Sequence, residues 1–141
     1  MHLLDINILI AMADPDHVHH RLVEDFFRKC GRDGWATCPL VENGFIRIFG
    51  HPKYPQGPGS TQSARIVLSG LLARAGHQFW PDAISIADSS VYPNLPASRD
   101  LTDYYLLALA VQHQARLVTL DQRIDPSLLP KGPQAFHWLC Q

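Results

Sequence analysis

The sequence is poor in cysteine, has no long apolar run and carries no excess of positive charge. Its three cysteines, Cys30, Cys38 and Cys140, form no Cys-x-x-Cys pair, which argues against a disulfide framework or a structural zinc site and fits a reducing cytoplasm. The longest apolar stretches, such as residues 106–111, are far shorter than the roughly 20 residues that cross a bilayer. The N-terminus also lacks a basic segment followed by a long apolar run. We therefore expect a cytoplasmic protein without a membrane partner.

The size and charge of the chain limit its organisation more than its function. With 141 residues, 46% of them hydrophobic, the chain is long enough to bury one core and too short for a second domain. We expect a single domain over residues 1–141. The formal net charge of −1 excludes a generally basic nucleic-acid coat, although a local basic rim or a bound cation could still receive phosphates.

Strand and helix patterns alternate along the whole chain. Short apolar segments predict strands at residues 2–4, 35–38, 77–80, 116–120 and 135–140. Helices are predicted at residues 6–12, from Asp14 and Pro15 to near Gly31, at 39–49, at 61–75 before Gly76, and at 103–112 with Thr102 as the cap. Residues 51–60 and 88–99 are predicted to be long loops. This alternation predicts an α/β fold with a central, mostly parallel sheet covered by helices on both faces.

Four acidic residues lie where predicted strands end or helices begin. Asp5 ends the first strand, Glu42 follows the second, Asp103 begins a helix and Asp121 ends the strand at 117–120. Each alone can be read as an ordinary helix-start or turn residue. Because ligand sites in open α/β sheets lie beyond the carboxyl ends of the strands, their joint placement predicts one shared site.

Crowded carboxylates repel one another unless protons or cations neutralise them. Mg²⁺ or Mn²⁺ fits best, because hard cations prefer oxygen ligands, activate water and hold phosphate oxygens, as phosphodiester cleavage requires. Asn7 and Thr119 flank the same edge and could orient a carboxylate or a water, although Asn7 could instead cap the following turn.

Basic residues near the predicted site suggest a path for a polyanion. Arg47 follows Glu42 by five residues in the same predicted helix and is the best candidate for substrate binding. An ordinary solvated role is the alternative for each of these side chains. The set comprises Arg47, Lys53, Arg99 and Arg123.

Four segments resemble the motifs of the PIN-domain family, and within it the VapC-type toxins of bacterial toxin-antitoxin pairs. They are LLDINILI at residues 3–10, PLVENGFIR at 39–47, LTDYYLLALA at 101–110 and LVTLD at 117–121. Their order, spacing and flanking residues agree over nearly the whole chain.

This resemblance implies a three-layer α/β/α sandwich, endonucleolytic cleavage of RNA and homodimerisation, with higher-order toxin-antitoxin assembly as a further option. It also implies a cognate VapB-type antitoxin that reaches into the acidic groove. By the same similarity Asp5, Glu42, Asp103 and Asp121 would be the catalytic metal-pocket acids, with Asn7 and Thr119 as supporting groups.

Two other functions remain open from the residues. A haloacid-dehalogenase-like phosphohydrolase also starts from an aspartate after the first strand, but its usual second aspartate position is Asn7 here, and no lysine lies beside the later acids. A non-catalytic module could use the same acidic groove to bind a basic partner segment.

Overall fold

A computed structural model describes residues 1–140 and contains a five-stranded, entirely parallel sheet. The strands lie in the order β3-β2-β1-β4-β5, which places β1 at the centre. Their carboxyl ends therefore share one edge of the sheet, and the predicted parallel sheet is confirmed. The strands are β1 His2–Leu4, β2 Trp35–Thr37, β3 His77–Phe79, β4 Arg116–Thr119 and β5 Phe136–Trp138.

Five α-helices connect these short strands. The chain adds β2 and then β3 on one side of β1 before it returns to place β4 on the other side. Because parallel crossovers are right-handed, this reversal puts the first four helices on one face and the fifth on the opposite face, where it packs on β4 and β1. The helices are α1 Ile6–Ala13, α2 His20–Cys30, α3 Pro39–Phe49, α4 Thr61–Leu72 and α5 Leu101–Gln112.

The central strand passes directly into a buried helix. All three residues of β1 are buried, and Asp5 then caps α1 by accepting a hydrogen bond from the backbone N–H of Ile6. Residues 8–12 of α1 are buried in turn, since neighbouring helices and the sheet enclose this helix. The capping carboxylate is therefore held at the carboxyl edge of the sheet, at the base of a rigid helix.

Gly44 allows α3 to pack closely against α1. A Cβ atom at this position would lie 2.3 Å from Cδ1 and 2.9 Å from Cγ1 of Ile6. Both distances are far below van der Waals contact, so a side chain would force Ile6 to move or the two helices to separate. This close contact joins the helix that follows Asp5 to the helix that carries Glu42.

Three predicted helix ends are wrong. α2 begins at His20, because Asp14 starts only a turn: its carboxylate accepts from the N–H of Asp16 and from the hydroxyl of Tyr54, and residues 15–19 form turns and a bend. α4 ends at Leu72, three residues before the predicted end. α5 begins at Leu101, so Thr102 lies inside the helix and does not cap it.

The two long loops are confirmed in outline. Residues 50–60 contain only turns and bends, and the segment between Phe79 and Ser98 contains no helix or strand. Among residues 1–140, no helix combines the length and the apolar character that crossing a membrane requires.

Candidate active site

Asp5 is buried at the centre of the carboxyl edge, with only 4% of its surface exposed. Its Oδ1 accepts from the N–H of Ile6 at 2.7 Å, and its Oδ2 accepts from the hydroxyl of Thr119, also at 2.7 Å. Burial raises the pKa of the Asp5 carboxyl, and the negative charge of Asp121 adds to the increase, while these two hydrogen bonds act against it. The side chain is thus fixed in orientation, while burial and the charge of Asp121 disfavour its ionised form.

Thr119, the last residue of β4, uses its whole hydrogen-bonding capacity at this edge. Its hydroxyl donates to Asp5 and accepts from Nδ2 of Asn7 at 3.2 Å and from the N–H of Asp121 at 3.0 Å. A threonine hydroxyl offers one donor and two acceptor sites, so all three are satisfied. Oδ1 of Asn7 accepts from the N–H of Leu120 at 3.2 Å. Asn7 therefore ties α1 to the end of β4, and among residues 1–140 its side chain has no hydrogen bond that would make it a local cap of its own turn.

Asp121 lies beside this network and pairs with Arg123. The guanidinium contacts both carboxylate oxygens, with Nη2 2.8 Å from Oδ2 and Nε 3.0 Å from Oδ1. This pairing is the main reason that the pKa of Asp121 is lowered. The Arg123 side chain is 65% exposed, so the pair faces solvent and the guanidinium is free to reach a ligand.

Asp103, in the first turn of α5, completes a cluster with Asp5 and Asp121. Burial and the negative charges of Asp5, Asp121 and Asp100 raise the pKa of the Asp103 carboxyl to about 7, and the positive charge of Arg123 acts against them. Three of the four predicted acids thus interact electrostatically at the ends of β1 and β4. We name Asp5, Asp103 and Asp121 the aspartate cluster.

Glu42 lies at the same edge but interacts with a different set of groups. Its Oε2 accepts from the hydroxyl of Thr37 at 2.6 Å, and the same hydroxyl oxygen lies 2.8 Å from Nε2 of His77. The negative charge of Glu42 acts on His77, whereas the charges that raise the pKa of Asp103 do not include Glu42. The structure therefore brings the three aspartates together and places Glu42 after the neighbouring strand β2, with Thr37 as its hydrogen-bond partner.

Arg47 lies on α3, exposed to solvent and apart from the aspartate cluster. It lines a shallow surface depression together with Ile48, His51, Lys53 and Tyr54. Arg47 and Lys53 carry positive charge in this depression, which is compatible with binding of a phosphate backbone. A direct contact between Arg47 and the acids is absent among residues 1–140.

The chemistry of the aspartate cluster fits a hard divalent cation. Its ligands are all oxygen atoms, and a cation would relieve the mutual repulsion that raises the pKa of Asp103. Across residues 1–140, no three His, Cys, Asp or Glu side chains lie close enough to enclose a metal ion by themselves. This is compatible with Mg²⁺, which is usually bound through one or two carboxylates and keeps several waters.

Two polar residues linked to Glu42 are not predicted from the sequence. Thr37 is completely buried at the end of β2, and His77 begins the edge strand β3. One signal was available for Thr37: both it and Thr119 are the last residues of parallel strands and both bind an acid. No sequence signal indicates His77, because its role depends on the β2–β3 register, which pairs it with Trp35.

Comparisons with known proteins agree with this geometry. The family model described as PIN domain matches residues 2–126. Ribonuclease VapC44 of Mycobacterium tuberculosis is 40% identical over 130 residues, covering 91% of each chain. Ribonuclease VapC38 of the same organism is 42% identical over 121 residues, covering 86% of this chain and 85% of the relative. These matches confirm the family resemblance of the four motifs.

A solved structure supports the fold independently of close sequence similarity. The crystal structure of VapBC2 from Rickettsia felis bound to a promoter DNA fragment superimposes with a TM-score of 0.57 at 14% identity. The match covers 85% of this chain and 87% of the other chain. With the family model and the relatives, it follows that the chain belongs to the PIN-domain family and to its VapC branch.

Proposed function

We propose that the protein is a divalent-metal-dependent endoribonuclease and the toxin of a type II toxin-antitoxin pair, acting in the cytoplasm as one domain over residues 1–141. The observation that carries the proposal is the aspartate cluster, in which burial and like charge raise the pKa of Asp103 to about 7. Membership in the VapC branch, whose curated relatives are named ribonucleases, supports RNA as the substrate.

Asp5, Glu42, Asp103 and Asp121 are the proposed catalytic, metal-binding acids. These side chains would hold Mg²⁺ or Mn²⁺, which would supply Lewis acidity for phosphodiester hydrolysis. Asp5 presents its carboxylate in a fixed direction, because Thr119 and the N–H of Ile6 each bind one of its oxygens. Asn7 supports this orientation from α1 by donating to Thr119.

Basic side chains around the cluster are the proposed contacts for the RNA backbone. Arg123 lies beside Asp121 with most of its side chain exposed, so it can turn toward a phosphate while it remains near the cluster. Arg47 and Lys53 line the surface depression on α3 and would bind phosphates farther along the strand. Such contacts position RNA and do not select its sequence, which we assign to the two long loops.

The proposal is tested by metal-dependent cleavage of RNA. Purified protein should cleave RNA in Mg²⁺ or Mn²⁺ and lose this activity in excess chelator, and Asp5→Asn should be inactive under both conditions. A phosphomonoester offered in parallel tests the haloacid-dehalogenase alternative, which is weakened by the engagement of Asn7 with Thr119 and Leu120. Tight binding of a basic peptide without cleavage of any RNA would instead support a pure binding module.

A VapB-type antitoxin and a second copy of the chain are the proposed protein partners. The support is the VapC branch itself and the VapBC complex among the structural neighbours. Expression with and without the small protein encoded beside it, followed by native mass measurement, tests both assemblies. Mapping of new RNA ends in the cells without that protein would also identify the target RNA.

A further inference from the structure

Glu42 is held by a chain of hydrogen bonds that begins at His77. Thr37 is completely buried between them. Its hydroxyl oxygen is 2.6 Å from Oε2 of Glu42 and 2.8 Å from Nε2 of His77. The three side chains come from β3, the end of β2 and the first turn of α3, so they fasten the helix to two strands.

The number of available protons fixes the direction of this chain. The Thr37 hydroxyl has one proton, and the carboxylate of Glu42 can only accept, so that proton lies between Thr37 and Glu42. Nε2 of His77 must then carry the hydrogen that it donates to Thr37. Burial lowers the pKa of His77, against the charge of Glu42, which acts to raise it; in the neutral ring the single N–H is the one used in this contact.

The same arrangement occurs a second time at the edge of the sheet. Nδ2 of Asn7 donates to Thr119, and the hydroxyl of Thr119 donates to Asp5. In both chains a nitrogen donor supports a buried threonine at the end of a strand, and that threonine binds one oxygen of an acid. His77 therefore has the same place in its series of hydrogen bonds as Asn7 has in the other series. Asn7 lies in the first of the four sequence motifs.

This contact matters more for Glu42 than for an aspartate, because a glutamate side chain has one more rotatable bond to immobilise. Ordering a long polar side chain costs up to about 2 kcal/mol in lost rotamer freedom. A hydroxyl at 2.6 Å restricts Oε2, and among residues 1–140 no hydrogen bond engages Oε1. One oxygen is thus held and the other is left for a ligand.

We propose that His77 is a positioning residue for Glu42, acting through the buried hydroxyl of Thr37 to aim the free carboxylate oxygen at the metal site. The inference rests on the proposed function, in which Glu42 is one of the metal-binding acids. It predicts that the N–H of His77, and not its ring packing against Trp35, determines how well Glu42 binds the ion.

Two substitutions separate these contributions. His77→Gln keeps a donor near the position of Nε2 and removes the ring, whereas His77→Phe keeps a ring against Trp35, now 4.7 Å away between centroids, and removes the donor. His113→Phe is the matched control, since His113 also stacks on a tryptophan, Trp80, and among residues 1–140 its side chain has no hydrogen bond or ion pair with any of the four acids. Thr37→Val removes the hydroxyl at nearly constant volume.

The first measurement is the affinity for Mn²⁺ in the absence of RNA, determined by calorimetry. The second is the kcat and KM for RNA cleavage. We expect His77→Phe and Thr37→Val each to weaken Mn²⁺ binding about 10-fold, within the range for groups that orient a metal ligand. The double variant should bind no more weakly than Thr37→Val. His77→Gln should stay within about 3-fold of wild type, and His113→Phe should not differ from it.

The reverse ranking, with His77→Gln weaker than His77→Phe, would assign the effect to ring packing and overturn the inference. Mn²⁺ affinity equal to wild type in His77→Phe, or losses that add in the double variant, would also overturn it. Wild-type protein that neither binds Mn²⁺ nor cleaves RNA would overturn the proposed function together with the inference. Normal wild-type activity with an unaffected His77→Phe would overturn the inference alone.

Discussion

The central strand carries a buried ionisable side chain at its beginning and another directly after its end, and the two have opposite fates. His2 packs edge-on against Phe26 at 5.4 Å between ring centroids, and burial is the main cause that lowers its pKa to about 4. Asp5 instead has hydrogen bonds to both oxygens and two aspartate neighbours.

The difference shows that burial alone does not mark a functional group. His2 responds to burial by losing its charge, after which it behaves as an aromatic core residue. Asp5 is buried among polar groups that orient its carboxylate and beside like charges that a cation would neutralise. Oriented ligands together with uncompensated charge, and not a displaced pKa by itself, distinguish the candidate site.

The largest expected effect is the loss of RNA cleavage in Asp5→Asn. We expect a decrease of more than about 100-fold, the upper end of what is lost with an indirect partner of a metal. Asparagine keeps an acceptor for the N–H of Ile6 but turns an N–H toward the Thr119 hydroxyl, so the protein should stay folded with a lower thermal unfolding midpoint. Asp33→Asn, an exposed aspartate that precedes β2, is the control. Substantial cleavage by Asp5→Asn would show that Asp5 is not needed for catalysis. Asp5 and His2 would then no longer differ in function.

Thr119→Val should affect both activity and stability. It leaves Nδ2 of Asn7, the N–H of Asp121 and Oδ2 of Asp5 without their partner, which we expect to lower the free energy of unfolding by about 1–3 kcal/mol. Cleavage should fall about 10-fold to 100-fold. Urea unfolding and initial cleavage rates measure the two effects. A variant that loses stability but cleaves normally would show that the hydroxyl supports the fold alone.

His2→Leu should make the protein more tolerant of acid. With its pKa lowered to about 4 in the folded protein, wild-type His2 takes up a proton mainly on unfolding as the pH falls from about 6.5 toward 4. Stability is therefore lost over that window, by about 2 kcal/mol between about pH 7 and pH 4.5. The leucine variant should lose that much less in urea unfolding. Equal acid sensitivity of both proteins would refute the assignment.

Asp103→Asn should stabilise the metal-free protein at high pH. Because the pKa of Asp103 is raised to about 7, the folded state keeps a proton that the unfolded state releases, and stability falls as the pH rises from about 4 to 7. The cost of the ionised carboxylate remains above that range. In chelator we expect a gain of about 1–2 kcal/mol at about pH 8, roughly a third of that at about pH 5 and almost none at about pH 3, after allowance for partial exposure.

A double variant tests whether the charge of Asp5 contributes to the raised pKa of Asp103. Asp103→Asn in the presence of Asp5→Asn should gain less stability at high pH than it does alone, since one of the repelling charges is already gone. An equal gain in both backgrounds would show that the charge of Asp5 does not contribute to the raised pKa of Asp103.

Much of the fold could be predicted because hydrophobic pattern and strand-end residues are local signals. The five strands and the parallel arrangement follow from the alternation of short apolar segments with helical ones. The start of α2 could not be predicted in this way, because Asp14 and Pro15 form a good helix-start pair in sequence. The carboxylate of Asp14 instead accepts from the N–H of Asp16 and from the hydroxyl of Tyr54, 40 residues away in sequence.

The candidate site divides along the same line between local and long-range information. The positions of Asp5, Asp103 and Asp121 at the ends of elements predict the observed cluster. That Glu42 binds Thr37 and His77, and that Arg123 pairs with Asp121, depends on strand register and side-chain rotamers. Neither strand register nor a rotamer produces a periodic pattern in the sequence. The roles of all four acids remain predictions, which the experiments above test.

The close contact at Gly44 links the positions of Asp5 and Glu42. The Ile6 side chain, on the helix after Asp5, packs directly on Gly44 of the helix that bears Glu42, so the approach of the two helices depends on the absence of a side chain at this position. A series of Gly44 variants from alanine to valine would act as graded spacers between the two acids. Mn²⁺ affinity and cleavage rates across the series would test whether the spacing of these two acids limits binding of the proposed cation and substrate.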